Sequence, residues 1–238
     1  MQKLMSQMRS AMEKYNMISD GDKIAVGVSG GKDSLALIIA LNEMRRFFPK
    51  KYEVVGLTID PCFNNEQGDY SKIEELLNSQ GIEYHIKRTE LYKIIFQDRM
   101  ESNPCSLCAR MRRGLLHDFA KEYGCNKIAL GHHLDDAAQT LLMNLFNGAR
   151  ISCFSPISYL SRKDLYMIRP MIFAYEKDVE RAARNFDLPV VKSKCPADGV
   201  TERENMKNLL RELEHTYPKL REKIIKALQT GDIDGWGV

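Results

Sequence analysis

No stretch of this 238-residue chain approaches the roughly 18 consecutive apolar residues that a membrane-crossing helix needs. The N-terminus also lacks the apolar core of a secretory signal. MQKLMSQMRSAMEKY is too charged for one and reads as an amphipathic helix. A cytoplasmic location, away from membranes, is the expectation. Excess charge is missing too: the net value of +3 does not by itself identify a nucleic-acid partner. Basic residues do gather locally, at Arg45, Arg46, Lys50 and Lys51, at Arg110, Arg112 and Arg113, at Arg162 and Lys163, and at Arg181, Arg184, Lys192 and Lys194. Taken singly, each such group reads as a solvated face. There is no internal repeat and no low-complexity tract. Cysteines are few, and in a reducing compartment six of them do not make a disulfide framework. Only Cys105 and Cys108 are closely spaced. Cys62, Cys125 and Cys153 read as small buried or loop residues.

What is present is an ordinary globular composition, 44% hydrophobic and 28% charged, at a length that suits one large domain or slightly more. Strand and helix patterns alternate. Strands are expected at 24–28, 54–59, 84–87, 127–130 and 165–168, several of them continuous apolar runs typical of a sheet covered on both faces. Helices are expected at 71–79, 106–123 and 135–146. In the last, Ala138, Leu141, Leu142, Leu145 and Phe146 fall on one helical face. The implied fold class is α/β, a doubly wound parallel sheet whose ligands sit beyond the carboxyl ends of the strands. Residues 1–175 form that domain. Residues 176–238 read as a small helical appendage packed on it: a helix, the loop PVVKSKCPADG, one charged helix over about 201–228 and a frayed end.

The most informative segment is KIAVGVSGGKDSLALIIA, residues 23–40, where a buried strand passes through a polar knot into an apolar helix. Glycines at such a join allow positive φ and let bare N–H groups approach a ligand. The first turn of the following helix adds unpaired donors and the positive end of its dipole, so Ser29, Gly30, Gly31, Lys32, Asp33 and Ser34 form an anion cradle. It is not a Walker A loop, because Val26 stands where the first glycine is required and Asp33 follows the lysine. The dinucleotide fingerprint fails as well, since Gly27 is followed by Val28 and Ser29. The stretch resembles the SGGxDS signature of PP-loop ATPases, which cleave ATP to AMP and pyrophosphate.

Asn103 and Pro104 read as the N-cap and first residue of a helix. Cys105 and Cys108 then lie one turn apart near its N-terminus, where the dipole and Arg110, Arg112 and Arg113 are expected to lower their thiol pKa. C-x-x-C alone is compatible with a redox dithiol, half a zinc site or part of an iron–sulfur cluster. GHHLDDAAQT follows a strand and opens a helix, so Gly131, His132, His133, Asp135 and Asp136 are expected to line the site as a group. Carboxylates there can bind Mg2+ bridging phosphate oxygens, while the histidines bond phosphate or only cap the helix. Asp60, ending the second strand, is placed to touch adenosine, and Arg169 to reach phosphate or RNA.

DGDKIAVGVSGGKDS, PCSLCARMRRG, NKIALGHHLDDAAQT, IRPMIFAYEKD, LPVVKSKCPADG and LLRELEHTYP run in the order seen in the TtcA family of tRNA 2-thiocytidine synthetases, a resemblance spanning roughly residues 10–228. The resemblance implies the adenine nucleotide alpha-hydrolase-like fold and ATP-dependent tRNA thiolation. The C2 oxygen of a cytidine is adenylated and then replaced by sulfur. It implies a [4Fe-4S] cluster on Cys105, Cys108 and Cys195, with one iron open, and Lys32, Asp33, Cys105 and Cys108 as catalytic residues. The implied partners are tRNA and a sulfur donor such as a cysteine desulfurase or free sulfide, and a homodimer is compatible with the family. The family carries a second C-x-x-C at the distal site, whereas this chain has Cys195-Pro196-Ala197-Asp198. Cys195 is the expected ligand there, since iron in such clusters prefers thiolate to the carboxylate of Asp198. The rival readings are a PP-loop enzyme with another acceptor (a uridine thiolase or a lysidine-type ligase) and a non-catalytic nucleotide- or metal-binding protein.

Overall fold

The computed structural model describes residues 1–99, 104–191, 195 and 202–237. Asn103, Lys192, Lys194 and Asp198 lie outside the described residues. Six strands form one sheet in the order β3-β2-β1-β4-β6-β5. They are β1 (Asp22–Gly27), β2 (Tyr52–Asp60), β3 (Glu83–Arg88), β4 (Lys127–Ala129), β5 (Ile157–Leu160) and β6 (Leu165–Ile168). All neighbours pair parallel except β5, which runs antiparallel to β6 at the edge. The sequence reading missed β5. It is four residues long, half-buried throughout and partly exposed, so it carries neither a continuous apolar run nor clean alternation.

Period-two alternation splits the sheet residues between two cores. Ile24, Val26 and Val54 join one cluster, and Ala25, Val55, Leu57 and Ile59 the other. The first cluster lies under α1 (Gln2–Lys14), α2 (Lys32–Met44), α3 (Ser71–Ser79) and α6 (Glu176–Asn185), the second under α4 (Pro104–Glu122). Helix α1 is amphipathic as expected: Leu4, Met8, Ala11 and Met12 face inward. After β1 the chain builds β2 and β3 on one side, then crosses to β4 and β6 on the other. The β1–β4 boundary is therefore the topological switch where a ligand crevice opens.

Three expectations are corrected at the C-terminal half. The single charged helix is two, α7 (Glu202–Thr216) and α8 (Leu220–Thr230). They break at Pro218, which removes a backbone donor, and at Lys219, which takes φ 61°. The tail is not frayed: Trp236 is fully buried, its indole N–H donates to the Phe154 carbonyl at 2.8 Å, and its own carbonyl accepts from the Tyr15 hydroxyl at 3.0 Å. Helix α5 (Leu134–Gly148) buries its first two turns, but Leu145 and Phe146 at its far end are exposed. No helix among the described residues is long and apolar enough to cross a membrane.

Candidate functional site

Strand β1 ends at the switch point, and the chain turns through Ser29, Gly30 and Gly31 before α2 begins at Lys32. Gly30 takes φ 86°, and a Cβ there would meet the Cβ of Val191 at 3.2 Å. The Gly30 carbonyl accepts from the Val191 N–H at 3.0 Å, tying the loop to the strand of chain that leads toward Cys195. The two serines brace the turn. Ser29 N–H donates to Ser34 Oγ at 3.1 Å, and Ser34 Oγ donates back to the Gly31 carbonyl at 2.9 Å. Gly31 is the N-cap and supplies no side chain, so the first-turn donors of α2 remain open to an anion. Gly131 is required by packing, because a Cβ would lie 3.2 Å from the Asp33 backbone.

Lys32 does not point freely outward. Its ammonium sits 3.1 Å from both Asp33 Oδ1 and Glu176 Oε1, and Glu176 is also 2.8 Å from Lys207 of α7. Burial opposes the charge on Glu176, but hydrogen bonds and charge from Lys207 and Lys32 override it and hold the carboxyl down at about 2. Sequence reasoning did not single out Glu176, although it lies within the IRPMIFAYEKD match. Asp135 accepts from the Glu176 N–H at 2.7 Å and pairs with Arg221 of α8 at 2.9 Å. Asp136 accepts from the His133 N–H at 3.0 Å and pairs with Arg203 of α7 at 2.7 Å, while His133 caps α5. Both carboxylates are thus engaged in fastening α5, α7 and α8 together at the rim of the crevice.

His132 lines the crevice and lies against Phe154, ring centroids 4.9 Å apart. Burial, with Arg169 second, pushes its pKa down to about 4, so the imidazole is neutral at pH 7. Its buried Nδ1 has no hydrogen-bond partner among the described residues. Arg169 is not the outward-reaching phosphate ligand expected: it is buried, donates to the Ser155 carbonyl and stacks 4.9 Å above the Phe154 ring.

Cys105 is exposed and Cys108 half-buried on the first turns of α4. The thiol pKa of Cys108 moves up, the reverse of the expectation. Burial dominates, Arg112 opposes it, and the thiols of Cys195 and Cys105 add to the rise. The Cys195 thiol, from far along the chain, is thus among the groups whose charge bears on Cys108. No three His, Cys, Asp or Glu side chains among the described residues converge closely enough to grip one metal ion. Burial drives the Cys125 thiol up to about 11 and the Cys153 thiol up to about 12, the inert behaviour expected of both.

Two cavities open at the carboxyl end of the sheet, of about 340 Å³ and about 240 Å³. Ser29 of the loop and Arg112 of α4 line both. Asp60 lines the larger one: it is buried, and its two oxygens accept from Cys62 N–H and Gly68 N–H, each at 2.9 Å. Arg112 falls four residues after Cys108, on the same face of α4, so one guanidinium both lines the cavities beside Ser29 and opposes the upward shift of the Cys108 thiol.

The sequence profile of the PP-loop domain matches residues 2–213. A tRNA-cytidine(32) 2-sulfurtransferase of Citrifermentans bemidjiense is 39% identical over 221 residues, covering 92% of this chain and 86% of the relative. Its counterpart in Geobacter sulfurreducens is 40% identical over 221 residues, covering 92% and 85%. Among solved structures, the U34-tRNA thiolase NcsA from Methanococcus maripaludis, with its [4Fe-4S] cluster, aligns with a TM-score of 0.72 at 25% identity, covering 94% of this chain and 77% of that one. An NMN synthetase from Francisella tularensis, at 16% identity and a TM-score of 0.53, shares the fold. With its phosphate loop, its sheet order and relatives that match it nearly end to end, the chain belongs to the PP-loop proteins and, among them, to the tRNA-cytidine(32) 2-sulfurtransferase family.

Proposed function

We propose that the chain thiolates tRNA at a cytidine, with ATP as the activating substrate. The observation that carries this reading is Arg112, which lines both cavities beside Ser29 of the phosphate cradle and acts, with the Cys195 and Cys105 thiols, on the charge of Cys108. The cytidine C2 oxygen attacks the α-phosphorus of ATP, a P–O bond to pyrophosphate breaks, and pyrophosphate leaves. Sulfide then forms the C2–S bond as C2–O breaks and AMP departs; persulfide sulfur from a cysteine desulfurase would need two electrons from a thiol reductant to reach the same level.

The chain's own groups have distinct parts in this scheme. The first-turn N–H groups of α2 and the backbone at Ser29–Gly31 hold the departing pyrophosphate, where preorganised donors stabilise growing charge without reorganising. Lys32, oriented by Asp33 and Glu176, adds positive charge beside that tail. Asp33, a third exposed and held by Lys32 rather than by an arginine, is the cradle carboxylate that would share its charge with a Mg2+ ion neutralising the phosphates; Asp135 and Asp136 pair with arginines. Arg112 faces the shared corner where the oxygen and phosphorus meet. Neutral His132 gives the crevice a polar edge without a second cation.

Cys105, Cys108 and Cys195 fit a [4Fe-4S] cluster. They are three thiols whose negative forms repel one another, a cost that a cationic iron core removes. Their chemistry suits the cluster, because iron in such clusters is held by cysteine thiolates. Such a cluster supplies an iron open to a sulfur ligand. Cytidine is favoured over uridine as the acceptor because the cytidine-acting relatives are 39–40% identical, against 25% for the U34 thiolase.

The test is direct. Anaerobically purified, iron-loaded protein is incubated with a tRNA transcript, ATP and sulfide, and the nucleosides are analysed by mass spectrometry. 2-Thiocytidine and one AMP per modified base are expected, and Cys195→Ala should lose thiolation while keeping ATP binding. Iron-loaded protein that binds ATP and tRNA but forms no thiolated base overturns the reading.

A further inference from the structure

A reaction that joins a base oxygen to the α-phosphorus of ATP needs two base-sized pockets converging on one corner. The crevice has two cavities, and Ser29 and Arg112 form the corner they share. The smaller cavity is an apolar slot between the β1 end at Gly27 and Val28 and the side chains of Leu57, Leu116 and Leu130. Its walls suit a purine ring beside the phosphate cradle. The larger cavity has different chemistry: two aromatic rings, Phe63 and Tyr70, a buried carboxylate, Asp60, and a guanidinium, Arg112.

The larger cavity is also built, not incidental. Asp60 ties down the 61–70 loop by accepting from the N–H groups of Cys62 and Gly68. No ion pair within 4 Å engages this buried carboxylate among the described residues, and two hydrogen bonds leave part of its acceptor capacity open. A Cβ on Gly68 would lie 2.6 Å from the Tyr70 ring, so glycine at 68 is what lets that ring lie against the loop. Phe63 is braced edge-on by Tyr92 at 6.3 Å, and Tyr92 in turn stacks on Phe96 at 5.3 Å. Val191, which donates its N–H to the Gly30 carbonyl, also lines the cavity.

We propose that this larger cavity receives the base to be modified, a cytosine turned out of a single-stranded RNA loop, with Asp60 as the group that selects it. This deepens the tRNA-thiolation reading above and rests on it. The ring stacks against Phe63 and Tyr70, the usual mode for unstacked RNA bases. Its O2 points to the corner of Ser29 and Arg112, the only orientation that presents the attacking oxygen to the phosphate loop. The exocyclic N4 amine then points away from that corner and donates to the Asp60 carboxylate, the pairing that distinguishes cytosine from uracil. Uracil would present its O4 acceptor to an acceptor, an unpaired contact that a buried site penalises heavily.

The experiment uses iron-loaded full-length protein and two anticodon stem-loop transcripts differing only by cytidine or uridine at the acceptor position. Thiolation kinetics are measured beside ATP binding by equilibrium dialysis. Phe63→Leu and Tyr70→Leu should each raise the KM for the cytidine RNA by about 10- to 100-fold, the worth of one base–aromatic stack, while ATP affinity is retained. Asp60→Asn, whose amide can donate, should narrow the preference for cytidine over uridine. Wild-type protein that thiolates the RNA while both leucine variants keep its KM, or lose ATP binding instead, overturns this assignment and leaves the function standing. Wild-type protein that binds both substrates and thiolates neither RNA overturns the function itself.

Discussion

Gly30→Ala tests how the phosphate loop is held. At φ 86° an alanine pays the left-handed penalty of about 1–2 kcal/mol. Its Cβ would also press on Val191 at 3.2 Å, and a misfit of that kind costs about 1–3 kcal/mol. Together the loss is about 2–5 kcal/mol, a drop of about 4–20 °C in Tm for a chain of this size. The matched control is Gly21→Ala, which has nearly the same φ, 82°, but no atom within 4 Å of the new Cβ. That variant should show only the conformational part of the loss and unchanged ATP affinity. Gly30→Ala should also bind ATP about 10- to 100-fold more weakly, the worth of one charge-assisted hydrogen bond, because the N–H groups of the cradle turn with the loop. Thermal melts and calorimetric titration read the two effects separately. If Gly30→Ala melts no lower than Gly21→Ala and binds ATP like the wild type, the contact with Val191 does not shape the cradle.

Two further outcomes concern stability. Trp236→Ala should cost about 3–5 kcal/mol in urea unfolding, since it empties a fully buried site and strands the Phe154 carbonyl; a loss under about 1 kcal/mol would mean the tail is not docked. The buried His132, whose pKa falls from 6.5 to about 4, takes up a proton later than the unfolded chain does as pH drops. Its contribution is therefore complete above pH 6.5 and is lost between 6.5 and 4, by about 2 kcal/mol at pH 5. His132→Gln should flatten that part of the stability–pH curve, and an unaltered slope would refute the assignment.

Some of this protein was legible in one dimension because the cause is local. The loop at residues 29–34 announces itself by a glycine pair between an apolar strand and an apolar helix, and the backbone there needs only its immediate neighbours. The same holds for α3, predicted at the residues it occupies, and for the central strands β1, β2 and β4, whose burial leaves apolar runs. Edge strand β5 gave no such signal, because one side of it faces water. The break at Pro218 was readable but was passed over in favour of the charged pattern on either side.

Tertiary structure alone decided the rest. Exposed Leu145 and Phe146 continue the apolar face of α5, and whether a periodic face is covered depends on what packs against it. Burial outweighs the Arg112 charge at Cys108, and the Cys195 thiol, from a distant part of the chain, adds to the rise. The partners of Asp135, Asp136 and Arg169, namely Arg221, Arg203 and the Ser155 carbonyl, all come from remote parts of the chain or a separate loop. Sequence sets which groups are available and the backbone they locally prefer. Charge pairing, desolvation and the shape of a cavity depend on distances between residues remote in the chain, and only the folded arrangement sets those.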